Sequence, residues 1–443
     1  MTRLIENVAI WDGRDTVISE GSIHIEEATV ARVAASTEPI DIPPNADRID
    51  ASGKLAIPGL INGHTHLYSS LARGMSVSPF APTTFTEILE QLWWKLDKAL
   101  DDESVRTSAL VGAMEAARCG VTTLIDHHAS PNAIPGSLNR LREAVCDEVG
   151  LRGVFCYELT DRDGPERSAQ GIDENLRFLQ TAKDGGHCAA QFGLHASFTV
   201  GDEAIERVAA EIPDGAGIHI HVAEGPEDEV QCEAAHGCRI IERLDRHGLL
   251  RSNSILAHCL HINEAEKDLL AERGSIVVHN PRSNMNNAVG LFDMPGFLRR
   301  DVLTGLGTDG LGCNLLAELF TAGILQKHSL GDSLAGGFGD LDQILFRSNP
   351  SIAARLLGVQ LGRIEAGAPA DIALIDYVPP TPLDGGTLLG HLLFGLAVHS
   401  LRARDLFVAG RPVLRDGAFV DLDEQAIYAH AREQAAGLWN RLG

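Results

Sequence analysis

The chain has little positive charge and no long apolar run, and these two shortages exclude several classes of protein. Its 37 Lys and Arg residues are outnumbered by 61 Asp and Glu residues, which gives a net charge of −24. Nucleic acids and anionic membrane surfaces both recruit proteins through clustered positive charge. No segment reaches the roughly 18 consecutive apolar residues of a membrane-spanning helix. We therefore expect a small-molecule substrate rather than a nucleic-acid or membrane partner.

The cysteines lack any pattern that would indicate disulfides or a metal cluster. None of the eight cysteines belongs to a CxxC pair, and residues 1–12 lack the apolar segment of a signal peptide. Disulfide frameworks are typical of short secreted chains, whereas this chain has 443 residues. We therefore expect a cytoplasmic protein whose thiols are reduced and mostly buried.

Both ends of the chain carry short β-strand patterns. Residues 29–33 near the N-terminus and residues 371–375 near the C-terminus are β-rich and bounded by turn residues. A helical pattern over residues 424–442 closes the chain. We expect residues 1–56 and 363–443 to pair with each other as one small β domain.

The middle of the chain, residues 57–362, alternates between short β-rich runs and longer helical patterns. The β-rich runs are residues 57–64, 121–126, 152–157, 189–195, 217–221, 254–258, 275–279 and 302–307. Helical stretches such as residues 101–119 and 264–273 lie between them, and a glycine follows each of these two. Eight strands alternating with helices over roughly 250–300 residues predict an α/β fold, a (β/α)8 TIM barrel.

Side chains that can bind a metal ion cluster at the ends of these predicted strands, where a barrel carries its catalytic residues. His64 and His66 are two positions apart, which places both side chains on one face of a strand. His221 ends the fifth run, and Asp309 follows the eighth. We predict that these four residues hold one divalent metal ion with a position left open for water. Zinc is favoured, although iron and manganese also suit histidine and carboxylate ligands.

Three residues at this edge are predicted to be catalytic. Glu224 lies three residues after His221. Because a metal lowers the pKa of bound water toward about 7, a nearby carboxylate can take its proton and pass it to the leaving group. His258 can either bind the metal or orient the water, and we favour the second role because four ligands are already assigned. Asp309 would act in catalysis as well as in metal binding.

Other polar residues near the strand ends are candidates for substrate contacts. His195 and His279 end the fourth and seventh runs, although each could instead be a satisfied buried histidine. Asn284 lies in an amide-rich segment that suits a polar heterocycle or, alternatively, a well-capped loop. Arg73 could bind an anionic or carbonyl group or form a surface ion pair.

His127 and His128 are further candidates for substrate binding. They are consecutive at the end of the second run, so only one can face inward on a strand, and the sequence leaves open which one. Asp126 could support either imidazole as a hydrogen-bond acceptor. Trp93 and Trp94 follow the first strand in a long insertion, where one could stack on a substrate or both could pack in the core.

Several motifs of this chain resemble the amidohydrolase superfamily. They lie at residues 58–66, 219–224, 257–259, 279–285, 307–310 and 362–371. Within that superfamily the chain is similar to the aminohydrolase and chlorohydrolase branch, which includes guanine, adenosylhomocysteine and methylthioadenosine deaminases and triazine hydrolases. Residues 68–75, 126–131 and 157–164 look most like aminohydrolases associated with purine and selenium-dependent hydroxylase metabolism.

This resemblance implies a composite β-sandwich built from both chain ends and a homodimer. It also implies that the metal ligands are His64, His66, His221 and Asp309. Glu224 would be the proton shuttle, and His258 would be the partner of the attacking water. Binuclear members use a lysine on the fourth strand to bridge two metal ions. Here that strand ends in His195, the nearby Lys183 precedes it, and the chain has only six lysines. A single metal ion is therefore expected, which favours deamination over amide or ester hydrolysis.

Three functions remain open from the sequence. The leading hypothesis is a hydrolytic deaminase that releases ammonia from a purine-like, pterin or triazine ring. The second is a chlorohydrolase or cyclic amide hydrolase acting on a similar ring, which chloride release or ring opening without ammonia would identify. The third is a metal-loaded binding protein without turnover, for which Glu224 would have no use.

Overall fold

A computed structural model describes residues 2–38, 40–182, 185–310, 312–399 and 401–442, so that Lys183 lies outside the described residues. The strands in these ranges are β1 Thr2–Trp11, β2 Val17–Glu26, β3 Thr29–Ala35, β4 Asp47–Asp50, β5 Lys54–Pro58, β6 Leu60–Thr65, β7 Val121–His128, β8 Arg152–Tyr157, β9 Cys188–Ala190, β10 Phe192–Ala196, β11 Ile218–Val222, β12 Ile255–His258, β13 Ile276–His279, β14 Leu303–Leu306, β15 Ile372–Asp376, β16 Ala403–Val408, β17 Arg411–Arg415 and β18 Ala418–Phe419.

The α-helices are α1 Phe85–Ile88, α2 Trp94–Ala99, α3 Asp102–Arg118, α4 Ser137–Arg142, α5 Pro165–Thr181, α6 Asp202–Glu211, α7 Pro226–His236, α8 Ile240–Arg246, α9 Glu264–Arg273, α10 Pro281–Asn286, α11 Met294–Leu298, α12 Leu315–Leu330, α13 Phe338–Asp342, α14 Asn349–Leu357, α15 Leu388–Gly390 and α16 Glu424–Asn440. Short 3-10 or π-helical segments occupy Leu67–Ala72, Leu89–Trp93, Glu143–Val149, Ser197–Thr199, Gln343–Ser348 and His391–Ala397. Among the described helices, none combines the length and apolar character that crossing a bilayer requires.

The strands in the middle of the chain form two parallel sheets, and each predicted β-rich run overlaps an observed strand. One sheet has the order β6-β7-β8-β9 and the other the order β10-β11-β12-β13-β14. The fourth predicted run is divided at Gln191, where the chain changes from pairing with β8 to pairing with β11. Parallel bridges from Leu159 to Leu194 and from Thr65 to Asp309 join the two sheets.

Strands from both chain ends share one nine-stranded sheet, in the order β18-β17-β16-β15-β5-β1-β2-β3 with β4 beside β1. The central contact is the antiparallel pair of β5 with β15, in which Ile57 faces Ala373. Gly59 then separates β5 from β6. A Cβ atom at this position would lie 2.2 Å from the Thr122 side chain, so glycine permits the close approach of the sheet to β7.

The parallel strands are buried on both faces, as the apolar composition of such strands requires. All eight residues of β7 and all four of β12 and of β13 are buried. A buried ion pair ties this core to the mixed sheet. Arg152, at the start of β8, forms two hydrogen bonds of 2.7 and 2.9 Å with the Asp371 carboxylate just before β15.

Candidate active site

The predicted metal ligands all lie at the carboxyl ends of the parallel strands. His64 belongs to β6 and His66 follows it, His221 belongs to β11, and Asp309 follows β14. Asp309 has a φ of 53°, a left-handed conformation that is costly for a residue with a Cβ atom. The Thr308 and Asp309 amides donate to the His64 carbonyl at 2.9 and 3.1 Å, which holds this turn against β6.

The side-chain donors of these residues converge. His66 Nε2 lies 3.0 Å from Asp309 Oδ1 and 3.1 Å from His221 Nε2. His64 Nε2 lies 3.7 Å from the same Asp309 oxygen. Such separations are those of neighbouring ligands around one ion with bonds of about 2.0–2.2 Å.

Backbone carbonyls fix the orientation of two of the imidazoles. His66 Nδ1 donates to the His127 carbonyl at 2.6 Å, and His221 Nδ1 donates to the His195 carbonyl at 3.0 Å. Because each Nδ1 carries a hydrogen, the neutral form of each imidazole presents its Nε2 lone pair toward the common centre. His64 Nδ1 lies 2.9 Å from His219 Nε2, so one of these two nitrogens donates to the other.

This donor set fits a divalent cation. His66 Nε2 and His221 Nε2 lie 3.1 Å apart, which is too close for two lone pairs unless a cation or a hydrogen lies between them. The buried Nε2 atoms of His64 and His258 have no hydrogen-bond partner within the described part of the chain. Buried polar atoms are normally paired, so these four nitrogens and the Asp309 carboxylate indicate a site for a metal such as zinc.

Burial and charge act together on the protonation of the site. Burial lowers the pKa of His64 to about 3 and lowers that of His221 well below its usual value. Burial opposes charge on His66 as well, but the Asp309 carboxylate outweighs it and raises the pKa of His66 to about 9. Despite burial, His64 and His66 hold the pKa of Asp309 well below its usual range, so the carboxylate is ionised.

Glu224 and His258 lie beside this centre. Glu224 Oε2 is 3.5 Å and Asp309 Oδ2 is 3.6 Å from His258 Nε2. His258 Nδ1 donates to Asn284 Oδ1 at 2.8 Å, and Asn287 Nδ2 donates to Glu224 Oε1 at 3.2 Å. Burial raises the pKa of Glu224. A carboxyl group with a raised pKa is thus held next to the metal donors.

A cavity opens onto these groups. It is lined by His66, Tyr68, Phe85, Leu89, Trp93, Trp94, Asp97, Glu158, His195, Ala196, Phe198, His221, Glu224, Gly225, Asp228, Ser283, Asn287, Asp309 and Gly310. Aromatic walls with a few polar side chains are typical of sites that bind small ring compounds. Trp93 and Trp94 both belong to this lining.

The substrate-binding candidates occupy different places. Of them, His195 lines the cavity, whereas His279 is buried and stacks on Phe292 with ring centroids 4.4 Å apart. Asn284 contacts His258 rather than the cavity. The Arg73 side chain is 68% exposed and forms a bidentate ion pair with Glu115 at 2.6 and 2.7 Å.

The two consecutive histidines of β7 face opposite ways. The His127 ring lies 4.7 Å from the His221 ring, on the side of the metal donors. His128 is directed away from them, with its Nε2 2.8 Å from Ser130 Oγ. Asp126 supports neither ring through its Oδ1, which accepts a hydrogen bond from the Leu67 amide at 2.7 Å.

Sequence reasoning missed a buried charged group in the cavity wall. Glu158, directly after β8, places Oε2 3.2 Å from His127 Nδ1. Arg162 donates to Asp97 Oδ2 at 3.3 Å, and its guanidinium lies over the Trp94 ring at 4.6 Å. The sequence did carry a signal for Glu158, because it directly follows the third predicted strand, at the same end of the strand as the other candidate site residues.

Comparison with known sequences agrees with this arrangement. The profile described as "Amidohydrolase family" matches residues 55–413. The chain is 32% identical over 406 residues to a 5-methylthioadenosine/S-adenosylhomocysteine deaminase of Haloarcula marismortui, covering 90% of each chain. It is 31% identical over 399 residues to a 5'-deoxyadenosine deaminase of Methanopyrus kandleri, covering 88% of this chain and 89% of the relative.

Solved structures share the fold. An adenosine deaminase from Xanthomonas campestris with bound zinc superimposes with a TM-score of 0.84 at 24% identity, covering 99% of this chain and 98% of that one. Atrazine chlorohydrolase TrzN from Arthrobacter aurescens TC1, complexed with zinc, gives 0.81 at 21% identity, covering 98% and 99%. The expected α/β class and the resemblance stated from the motifs are confirmed. With a family profile that spans most of its length, the chain belongs to the amidohydrolase family.

Proposed function

We propose that this protein is a metal-dependent hydrolytic deaminase that releases ammonia from a nitrogen heterocycle of purine, pterin or triazine type. The observation that carries the proposal is the convergence of metal-capable donors with Glu224 and His258 at one cavity. Relatives named as deaminases of methylthioadenosine, adenosylhomocysteine and 5'-deoxyadenosine support the reaction class. Function still depends on this site rather than on the fold, which serves many chemistries.

We propose that residues 57–362 form a (β/α)8 barrel and that residues 1–56 and 363–443 form a composite β-sandwich. The two bridges that join the parallel sheets support closure of the barrel. The shared nine-stranded sheet supports the association of the chain ends.

In this proposal His64, His66, His221 and Asp309 hold one zinc ion, with iron and manganese as alternatives. Zinc in the two structural neighbours and the unpaired donors described above support that assignment. When bound, such an ion lowers the pKa of water toward about 7 and polarises the carbon that is attacked.

The side chains of this chain then move two protons of the attacking water and hold the reacting atoms. Glu224 takes the first proton and delivers it to a ring nitrogen, and it then takes the second proton from the newly bound oxygen and delivers it to the departing amine. His258 Nε2 accepts a hydrogen bond from that water, because Asn284 occupies its other nitrogen. A carbon–oxygen bond forms, the carbon–nitrogen bond breaks, and the amine leaves as ammonia.

The chlorohydrolase alternative uses the same residues and differs in the leaving group. A panel of adenine-type nucleosides, guanine, pterin, aminotriazines and a chlorotriazine distinguishes the two, with ammonia and chloride measured separately. Protein with its metal content established by elemental analysis is expected to release ammonia. Chloride alone would favour the alternative, and neither product from any ring would contradict the proposal.

We also propose a cytoplasmic homodimer. The eight cysteines are free, and all but Cys119 are buried, which supports a reducing compartment. Exposed Ile324, Phe338 and Phe394 support an interface between copies. Light scattering is expected to give twice the mass of one chain.

A further inference from the structure

Glu158 is a buried carboxyl group of the cavity wall for which the proposed reaction has no use. It is 3% exposed, and one of its oxygens lies within 4.8 Å of the ring nitrogens of His66 and His221. Glu224, in contrast, groups with His258 and Asp309. Two carboxyl groups therefore border the reacting centre, each beside a different pair of side chains.

Hydrogen bonds fix which nitrogen of His127 carries the hydrogen. Its Nε2 lies 3.1 Å from the Leu194 carbonyl and 3.0 Å from the His219 carbonyl. A carbonyl oxygen only accepts, so Nε2 is the donor and Nδ1 keeps a lone pair. That Nδ1 is buried, and no described residue hydrogen-bonds to it.

His127 Nδ1 lies 3.2 Å from Glu158 Oε2, and no hydrogen bond joins the two atoms. Because His127 Nδ1 is itself an acceptor, it offers Glu158 no hydrogen. Oε1 therefore remains an acceptor for another group.

Glu158 Oε1 accepts no hydrogen bond from the described side chains around it. Arg162 Nη2 and His195 Nε2 each lie 3.6 Å from it, beyond a normal hydrogen bond. The same Arg162 Nη2 donates to Asp97 Oδ2 at 3.3 Å and forms an ion pair, but no hydrogen bond, with Glu158.

His195 presents a second acceptor beside Glu158. Its Nδ1 lies 2.6 Å from Thr199 Oγ1, and the Thr199 hydroxyl donates to the Ala196 carbonyl at 3.1 Å. With its single hydrogen used there, Thr199 accepts from His195 Nδ1, and Nε2 keeps its lone pair. Glu158 and His195 both line the cavity. This part of the wall therefore presents two hydrogen-bond acceptors to a ligand that carries a donor.

We propose that Glu158 Oε1 and His195 Nε2 bind a ring N–H of the substrate, next to the carbon that loses its amine. The inference rests on the proposed function and narrows its substrate class. In a 2-amino-4-oxopyrimidine ring, as in guanine and pterin, the amine-bearing carbon lies between an unprotonated ring nitrogen and a ring N–H. The unprotonated ring nitrogen can receive the proton from Glu224, and the ring N–H can donate a hydrogen bond to Glu158. An adenine ring has no N–H beside its amine-bearing carbon.

The test compares guanine with 1-methylguanine, in which a methyl group replaces that ring hydrogen. The metal-loaded protein is expected to prefer guanine by about 100-fold in kcat/KM or more, because a site built around a hydrogen bond rejects the analogue that lacks it. Glu158→Leu keeps similar bulk and removes both acceptors. It is expected to lower kcat/KM for guanine about 10- to 100-fold and to change that for 1-methylguanine less than threefold.

Two further variants separate recognition from folding. Glu158→Gln can donate from its amide to His127 Nδ1 and keep its carbonyl toward the cavity, so guanine is expected to remain preferred. Asp163→Asn is the matched control, since the Asp163 side chain is also buried but pairs with Lys98 at 3.0 Å outside the cavity lining. The ratio of kcat/KM for guanine to kcat/KM for 1-methylguanine is expected to be the same in Asp163→Asn as in the wild type.

A binding measurement makes the test independent of turnover. Calorimetric titration with xanthine, which retains the ring N–H, is expected to show about 10- to 100-fold weaker binding to Glu158→Leu than to the wild type or the control. If Glu158→Leu lowered kcat/KM equally for guanine and 1-methylguanine and left the affinity for xanthine unchanged, the inference would be overturned. Ammonia from adenine-type nucleosides but not from guanine or pterin would also overturn it, while leaving the deaminase proposal intact.

Discussion

Replacement of Glu224 by glutamine is expected to remove proton transfer while keeping the shape of the site. Glu224 Oε1 accepts from Asn287 Nδ2 at 3.2 Å, and Oε2 lies 3.5 Å from His258 Nε2. In the variant the amide oxygen can still accept from Asn287, and the amide nitrogen can face the lone pair of His258. The fold and the metal content are therefore expected to be unchanged.

The size of the effect follows from the role of this carboxyl group. A positioned general acid–base residue contributes roughly 100- to 10,000-fold to the rate, or about 3–5.5 kcal/mol of transition-state stabilisation. Since Glu224 is buried beside the metal donors and would serve both the water and the leaving amine, we expect kcat to fall about 1,000-fold. KM is expected to change less than about threefold, because the carboxylate acts on the transition state rather than on the bound substrate.

The assay is ammonia release at saturating substrate, measured beside elemental analysis and a thermal melt. Glu227→Gln is the control, because Glu227 lies in the adjacent helix α7 but not in the cavity lining. A kcat within tenfold of the wild type, at full metal content, would refute the role of Glu224 as the proton shuttle.

Three further predictions concern the metal and the stability of the fold. Asp309→Ala is expected to lose its bound metal in elemental analysis, and one full equivalent retained after dialysis would contradict the ligand assignment. Asp371→Ala leaves the Arg152 guanidinium buried without its carboxylate, so chemical denaturation is expected to show a loss of about 3–5 kcal/mol; an unchanged midpoint would exclude the pair as a structural tie. Burial raises the pKa of Glu318 from 4.5 to about 8, so its protonated form stabilises the fold at low pH and this contribution is lost as pH rises through that window. Glu318→Gln is therefore expected to gain stability relative to the wild type by about 1.4 kcal/mol per pH unit between pH 5 and 8, measured by urea unfolding; parallel pH profiles would disprove it.

The candidate metal donors could be read from the sequence because their signals are local. The spacing of His64 and His66 places both on one strand face whatever the rest of the chain does. The positions of His221 and Asp309 at strand ends follow from the alternation of strands and helices. Both patterns involve neighbours along the chain; the structure groups His64 and His66 with Asp309 and places His221 Nε2 3.1 Å from His66 Nε2.

Local signals were insufficient where a residue depends on distant partners. The alternation of a strand allowed either His127 or His128 to face the site, and the approach of β11 placed His127 beside His221. The sequence left Arg73 as either a substrate ligand or a member of a surface ion pair, and α3 supplies Glu115 as its ion-pair partner.

The sequence by itself determined the alternation of elements, the strand-end positions of the metal donors and the family. Only the tertiary structure decided that Glu158 lies 3.2 Å from His127 Nδ1 and that Arg162 hydrogen-bonds to Asp97. These contacts join strands and helices that are far apart along the chain. Their hydrogen-bond roles depend on distances of a few tenths of an ångström, which no pattern of residue types encodes.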